Sequence, residues 1–223
     1  MTAKLFLQSI LKFTLGVIII GILLFLPAGT LRYPNGWLLM AILFIPMFLA
    51  GIVMMVKNPE LLKKRLNAKE RQAEQRLVVK LSGLMFLLGF IAAGLSFRFR
   101  WFPLPGWVSW AGAVLFLLSY LLYAEVLREN TYLSRTIEVQ QGQKVVDTGL
   151  YGIVRHPMYS ATLVLFLSMP LVLGSVLSFV IFLAYPVIIA KRIRNEEAVL
   201  EKELEGYAEY KNKVIYKMIP LVW

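Results

Sequence analysis

The uncharged stretch Met158–Ala190 limits the fold of this chain more than any other feature. Its 33 residues contain no Asp, Glu, Lys, Arg or His, whereas a helix needs only about 20 apolar residues to cross a bilayer. Gly174 divides the stretch into two apolar arms, with Pro170 and Pro186 positioned to bend them. The sequence therefore predicts a tight helical hairpin that enters and leaves the membrane on the same side.

Further apolar runs without charge precede this stretch. The chain is 59% hydrophobic and 17% charged, whereas soluble domains contain about 25% charged residues. Together with the hairpin, these runs predict an all-α polytopic membrane protein with about six transmembrane segments. No A-x-A-like cleavage site follows the first run, which favours a retained helix over a signal peptide. The runs are Phe13–Leu26, Trp37–Val56, Leu81–Phe97 and Trp107–Tyr123.

The basic residues are distributed unequally between the two membrane sides. With the N-terminus in the cytosol, 21 of the 24 Lys and Arg residues fall on the cytosolic side, and Arg32, Arg98 and Arg100 fall outside. Cytoplasmic loops of membrane proteins carry such an excess. The sequence thus predicts that both termini are cytoplasmic. The net charge of +11 follows from this topology and does not indicate nucleic-acid binding.

Several function classes are disfavoured by residues that the chain lacks. It has no cysteine, and His156 is its one histidine, so disulfides, thiolate nucleophiles and multi-histidine metal sites are excluded and no metal is predicted. Charged residues occur near the ends of the apolar runs, as at Lys80 and Glu125, and not at their centres. Proton-coupled transporters need ionisable groups within their spans, so transport is disfavoured.

The basic loop at 57–80 has two interpretations. It contains Asn58-Pro59-Glu60-Leu61-Leu62-Lys63-Lys64-Arg65-Leu66, with Pro59 suited to open a helical turn. The segment is either an amphipathic helix that lies on anionic headgroups or a lid over a bound cofactor.

Two polar cytosolic segments, 128–157 and 191–223, flank the hairpin, which brings them together. In the first segment, Arg155 and His156 immediately precede Pro157, which is suited to open the hairpin's first helix. A helix N-terminus presents free N–H groups that suit a carboxylate. The segment also contains glycines that allow a ligand to approach the backbone closely, namely Gly142, Gly149 and Gly152.

The second segment begins with paired charges. If the helix continues, Arg192 and Glu196 are spaced i,i+4, and Arg194 and Glu197 are spaced i,i+3. Such pairs are either exposed ion pairs of little energetic value or part of a site that faces the loop containing Arg155.

The motifs of these two segments, in this order, resemble the isoprenylcysteine carboxyl methyltransferase (ICMT) family. The resemblance covers roughly residues 125–220, and phospholipid N-methyltransferases share this scheme, while integral sterol reductases share parts of it. Ala161 stands where the family commonly has glycine, and Asn130-Thr131-Tyr132 is similar to prokaryotic members. The motifs are Gly149-Leu150-Tyr151-x-x-x-Arg155-His156-Pro157-x-Tyr159, Arg192-Ile193-x-x-Glu196-Glu197-x-x-Leu200, Tyr207-x-x-Tyr210 and Ile219-Pro220.

The resemblance implies a methyltransferase that uses S-adenosylmethionine. It implies a methyl-acceptor end at Arg155, Arg192 and Glu197, where an arginine would bind a carboxylate bidentately. Methyl transfer from a sulfonium to a carboxylate neutralises opposite charges, so a dry pocket favours it. The cofactor-binding residues that the resemblance implies are Leu150, Tyr151, His156, Pro157, Tyr159 and Glu196.

The predicted function is therefore methyl transfer to a lipophilic acceptor, with a carboxylate favoured, in the plasma membrane of a prokaryote. Four transmembrane helices would occupy residues 1–127, and the catalytic region would occupy residues 128–223, with the hairpin at 158–190. Phospholipid N-methylation and small-thiol S-methylation on the same scaffold remain open, as does the oligomeric state. An NADPH-dependent membrane reductase, for which no Rossmann glycine fingerprint is present, and a non-catalytic scaffold are the remaining alternatives.

Overall fold

The computed structural model describes residues 3–66, 73–133, 137 and 139–223. Within these residues the chain consists of α-helices, most of them joined by short connections, and a longer connection with a 3-10 turn at Gly149–Gly152 precedes the hairpin. The helices are α1 (Ala3–Ala28), α2 (Pro34–Lys57), α3 (Pro59–Leu66), α4 (Ala73–Phe99), α5 (Gly106–Glu129), α6 (Pro157–Leu173), α7 (Val176–Phe182), α8 (Tyr185–Glu203) and α9 (Tyr207–Lys213).

Five segments are long and apolar enough to cross a membrane, and α6 is a shorter apolar helix of 17 residues. At 1.5 Å per residue, α6 rises about 25 Å, slightly less than the hydrocarbon thickness of about 30 Å. The predicted all-α fold with about six membrane segments is thus confirmed. The five long segments are Leu5–Ala28, Pro34–Lys57, Gln75–Phe99, Gly106–Glu129 and Val176–Glu203.

The turn of the hairpin lies at Gly174, as the sequence predicted. Gly174 has a φ of 71°, the left-handed conformation that glycine adopts readily. The N–H of Ser175 donates to the carbonyl of Pro170 at 3.1 Å, and the Ser175 hydroxyl accepts from the N–H of Ser178 at 3.1 Å. The turn therefore ends α6 and caps α7 within two residues.

The second arm of the hairpin differs from the prediction. It is interrupted at Leu183 and Ala184, which separate α7 from α8. Pro186 stands in the first turn of α8, where proline lacks no intrahelical hydrogen bond, so it opens a helix instead of bending one. From there α8 continues without a break to Glu203 and carries the polar second segment out of the membrane.

Glycines bring the helices of the bundle into close contact. A Cβ at Gly112 on α5 would lie 2.8 Å from the Cβ of Leu171 on α6, and one at Gly94 on α4 would lie 2.6 Å from the carbonyl oxygen of Leu24 on α1. Small residues at such positions allow backbones in a membrane to approach closely. These contacts fix α6 against α5, and thereby position the loop that precedes α6.

The short helix α3 contacts the bundle. Asn58 caps it by accepting from the N–H of Leu61 at 3.1 Å. The Nζ of Lys12 donates to the carbonyl of Leu66 at 2.7 Å, and the guanidinium of Arg65 lies 5.2 Å from the ring centroid of Tyr123. Residues 67–72 of the predicted 57–80 loop lie outside the described residues.

Candidate active site

The two polar segments meet along the start of α6. The N–H of Arg155 donates to the carbonyl of Tyr216 at 2.9 Å, and the N–H of His156 donates to the carbonyl of Lys217 at 2.8 Å. Further into α6, the Ser160 hydroxyl donates to the carbonyl of Met218 at 2.5 Å. The segment 214–218 therefore runs beside the loop that precedes α6 and closes that side of the site.

Glu197 on α8 is the centre of a buried charge cluster. Its Oε1 accepts from Nε of Arg155 at 2.7 Å and lies 3.2 Å from Nε2 of His156, while its Oε2 lies 3.2 Å from Nζ of Lys217. The Nη1 of Arg155 donates to the carbonyls of Val214 and Ile215 at 2.6 and 3.0 Å. The Nε and Nη1 groups of Arg155 are thus committed to protein acceptors.

Tyr159 links three helices beside this cluster. Its hydroxyl donates to the carboxylate of Glu196 on α8 and accepts from Nε of Arg192 at 2.9 Å. The Nη1 of Arg192 in turn donates to the side-chain oxygen of Gln75 on α4 at 3.4 Å. A buried phenol on α6 therefore connects an anion and a cation that are one helical turn apart.

The acidic residues at the start of the second segment contact side chains on other elements. Tyr159 lies between Arg192 and Glu196, and Glu197 faces Arg155 instead of the exposed Arg194. The expected Arg194–Glu197 pair does not occur among the described residues. Glu196 therefore lines the candidate site, and Glu197 is buried beside it.

A cleft lies on the open side of this network. Of the residues that the motifs implied, five line it, namely Tyr151, Arg155, His156, Tyr159 and Glu196. The other four support its walls: Leu150 through its backbone, Pro157 in the first turn of α6, Arg192 through Tyr159, and Glu197 through Arg155.

The 3-10 turn that carries Tyr151 is held by Glu129, a residue that the sequence did not single out. The Glu129 carboxylate accepts from the N–H of Leu150 at 2.9 and 3.1 Å. Gly149 has a φ of 56°, and a Cβ there would lie 1.9 Å from Oε1 of Glu129. A carboxylate in the last turn of a helix opposes the helix dipole, and this unfavourable position of Glu129 was a signal in the sequence.

Two tyrosines of α9 complete the cleft. The hydroxyl of Tyr210 donates to the carbonyl of Tyr151 at 2.7 Å. The hydroxyl of Tyr207 is buried and has no partner among the described residues. Burial raises the pKa of Tyr207 well above the usual range of a phenol, and the charges of Glu197 and Glu196 raise it further. The group is a neutral donor at physiological pH. The sequence noted both tyrosines as a motif without giving them a role.

Three comparisons with known proteins bear on this site. Residues 107–206 match the phospholipid methyltransferase family model. The fold is similar to that of the eukaryotic intramembrane Ras methyltransferase ICMT, with a TM-score of 0.56 and 18% identity over 92% of this chain and 74% of that chain. The mouse Delta(14)-sterol reductase TM7SF2 is 32% identical over 91 residues, which are 40% of this chain and 22% of the reductase. The chain thus spans about a fifth of the length of that relative.

The chain thus shares the helical membrane fold of ICMT, and residues 107–206, less than half of the chain, match the phospholipid methyltransferase family model. Both similarities agree with the resemblance that the sequence motifs carry. Among the described residues, no cluster of three or more His, Asp and Glu side chains could hold a metal ion.

Proposed function

We propose that this protein is an integral membrane methyltransferase that uses S-adenosylmethionine and methylates a lipophilic acceptor, with a carboxylate as the favoured group. One observation carries the proposal. Tyr151, His156 and Tyr159 from the first motif and Glu196 from the second line a single cleft beside the apolar hairpin. A water-soluble cofactor and a lipid-soluble acceptor meet most readily at such a boundary between polar and apolar surroundings.

The residues of the cleft fit this cofactor. Glu196 provides a carboxylate for its ammonium group, and the rings of Tyr151, His156 and Tyr159 provide surfaces for its adenine base. The buried hydroxyl of Tyr207 has no partner within the described part of the chain, and buried donors normally have an acceptor. Leu150 and Pro157 shape the backbone around these groups. S-adenosylmethionine, when bound, supplies a methyl group on a positively charged sulfur.

The two arginines have different roles in this proposal. Arg155 is a positioning residue, because its Nε and Nη1 hold Glu197 and the segment at Val214. Glu197 positions Arg155 and His156 in turn. Arg192 is the arginine assigned to the acceptor, since it reaches the site through Tyr159 and also contacts α4, one of the membrane-spanning helices.

For methyl transfer to a carboxylate, the main task of the protein is to position the acceptor and the cofactor. An acceptor carboxylate is already an anion, so no strong base is required. Exclusion of water by the apolar hairpin favours a step that neutralises charge. Holding the acceptor oxygen in line with the methyl group, at about 3–3.5 Å, supplies much of the remaining rate acceleration. An amine or thiol acceptor would need a route for its proton, for which Glu196 and Tyr159 are the available groups.

We place both termini in the cytosol, in the plasma membrane of a prokaryote, and treat residues 128–223 as the catalytic region behind four helices in residues 1–127. The 21-to-3 distribution of basic residues supports this orientation. The remaining partners are membrane lipids and the lipophilic substrate. No nucleic-acid partner is proposed.

Calorimetric titration of the purified protein with S-adenosylmethionine and with NADPH tests the proposal. We expect the first to bind and the second not to bind, with Glu196→Gln weakening binding and the exposed Glu201→Gln leaving it unchanged. Incubation with methyl-labelled cofactor, followed by mass spectrometry of added prenylated carboxylates, phosphatidylethanolamine and small thiols, then identifies the acceptor. Binding of NADPH alone would favour the reductase alternative, which rests on the 91-residue similarity to the sterol reductase.

A further inference from the structure

A second cavity lies at the other end of the bundle. It has a volume of about 670 Å³ and is lined by the ends of α1, α4 and α6. The helix α4 connects the two sites: Gln75 near its start contacts Arg192, and Arg98 near its end lines the cavity. The distance along α4 between these two residues measures the separation of the sites. At 1.5 Å per residue this is roughly 35 Å. We call it the distal cavity; its polar lining includes Thr30, Asn35, Ser96, Arg98 and Arg100.

The charge around the distal cavity is unbalanced. The chain has 13 Asp and Glu residues, from Glu60 to Glu209 in the sequence. None occurs in the connections at the distal end, where Arg98 and Arg100 line the cavity. A guanidinium stays charged at every physiological pH. Within the described part of the chain, these two cations therefore have no carboxylate as a counterion.

The local backbone keeps both arginines at the cavity. Arg100 directly follows α4 with a φ of 55°, and the N–H of Trp101 donates to the carbonyl of Ser96 at 3.0 Å. Glycine is the usual residue at this position of a helix C-terminus, so an arginine there is costly for the backbone. The guanidinium of Arg98 packs over Gly29, where a Cβ would lie 3.4 Å from its Cζ, Nε and Nη1.

Attraction to the helix C-terminus explains basic residues at the end of α4, but it requires neither a cavity nor the left-handed conformation of Arg100. Arginine forks match phosphate oxygens in pairs. Trp101, Trp107 and Trp110 at this end are 43%, 72% and 67% exposed and mark the membrane interface, which is the depth of lipid phosphates.

We propose that the distal cavity binds the phosphate group of a phospholipid from the leaflet opposite the candidate active site. Arg98 and Arg100 bind the phosphate oxygens, and Asn35 and Thr30 contact the rest of the headgroup. The bound lipid joins the ends of α1, α4 and α6, next to the hairpin turn at Gly174. This site is independent of methyl transfer.

Native mass spectrometry of the detergent-purified full chain tests the proposal. Dioleoyl phosphatidylglycerol should remain bound, whereas dioleoylglycerol, which lacks the phosphate, should not. In the double variant Arg98→Gln/Arg100→Gln, the fraction of protein that carries bound phosphatidylglycerol should fall at least tenfold. Arg32→Gln is the matched control, because Arg32 is the other basic residue at this end but does not line the cavity, and it should bind as the wild type does.

Equal loss in the Arg32→Gln variant would overturn the proposal in favour of general interfacial attraction, and so would equal retention of dioleoylglycerol. Tight binding of inorganic phosphate without retention of phosphatidylglycerol would overturn the lipid assignment. The variant Arg98→Lys/Arg100→Lys, which keeps the charge, should retain part of the adduct. An unchanged circular dichroism spectrum and an unchanged thermal unfolding midpoint in detergent show that each variant is folded. Neither this control nor the lipid measurement needs a cofactor, so the two proposals fail separately.

Discussion

The carboxylate of Glu197 accepts a hydrogen bond from Nε of Arg155 at 2.7 Å, and the two side chains are only 6% and 3% exposed. These residues are 42 positions apart in the chain, so their pairing fixes the loop before α6 to α8. Removal of one partner from a buried ion pair leaves the other charge desolvated, which is costly. The stability of the site therefore depends on this pair.

Glu197→Gln should lower the free energy of unfolding by about 3 kcal/mol, since Arg155 would lose its buried counterion. Chemical unfolding in detergent micelles measures the change. The control Glu201→Gln removes a carboxylate from an exposed pair with Lys211, and it should change stability by no more than about 0.5 kcal/mol. Equal effects of the two substitutions would contradict the assigned role of Glu197.

Gly149→Ala should weaken binding of S-adenosylmethionine strongly, because the new methyl group would displace the Glu129 carboxylate from the turn that carries Tyr151. The control is Gly142→Ala. Gly142 also has a positive φ, 72°, but a Cβ added there would meet no atom within 4 Å. Both variants incur the cost of a left-handed alanine, about 1 kcal/mol, so the difference in affinity measures the contact with Glu129. Similar affinities would show that Glu129 is not needed.

Tyr159→Phe should reduce the rate of methyl transfer about tenfold or more, a change of ~1.4 kcal/mol in the barrier. The substitution removes the hydroxyl that joins Arg192 to Glu196. Tyr185→Phe is the matched control, since it removes a hydroxyl bonded at 2.8 Å to Thr162 between the same two helices. Single-turnover kinetics compares the two, and a wild-type rate in Tyr159→Phe would remove Tyr159 from the site.

Stability should fall as the pH rises above about 10. Burial raises the pKa of Tyr151, Tyr207 and Tyr210 above the usual value of a phenol, which is about 10 in the unfolded chain. Above that pH the unfolded state binds fewer protons than the folded state, so the free energy of unfolding decreases. The contribution of these phenols to stability is fully present below about pH 10. Tyr207→Phe should make the decrease shallower in unfolding experiments at about pH 9 to 11, and an unchanged slope would contradict this account.

The sequence predicted those parts of the fold that depend on local composition. Charge-free runs predicted the membrane segments, and the uncharged Met158–Ala190 stretch with Gly174 predicted the hairpin and its turn. The break between α7 and α8 was not predicted, because an apolar run inside a membrane protein has no polar face to mark a change of helix. Pro186 was noted in the sequence, but as a residue that bends the arm and not as one that opens α8.

The sequence predicted which residues lie at the candidate site better than it predicted which of them contact one another. At i,i+3 spacing, Arg194 was as suitable a partner for Glu197 as the more distant Arg155, and only the packing of α8 against α6 decides between them. Lys217 and Glu129 were missed because their contacts come from an irregular tail and from a loop that folds back on α5. Spacing along one helix contains no information about such approaches.

The path of segment 214–218 has a consequence for the biosynthesis of this protein. The ribosome makes these residues after every membrane-spanning helix described above, yet their carbonyls complete the surroundings of Arg155 and His156. When the hairpin has been synthesised, Arg155 still lacks these acceptors. The candidate site is therefore completed last, and a chain that has inserted all these helices still lacks part of it.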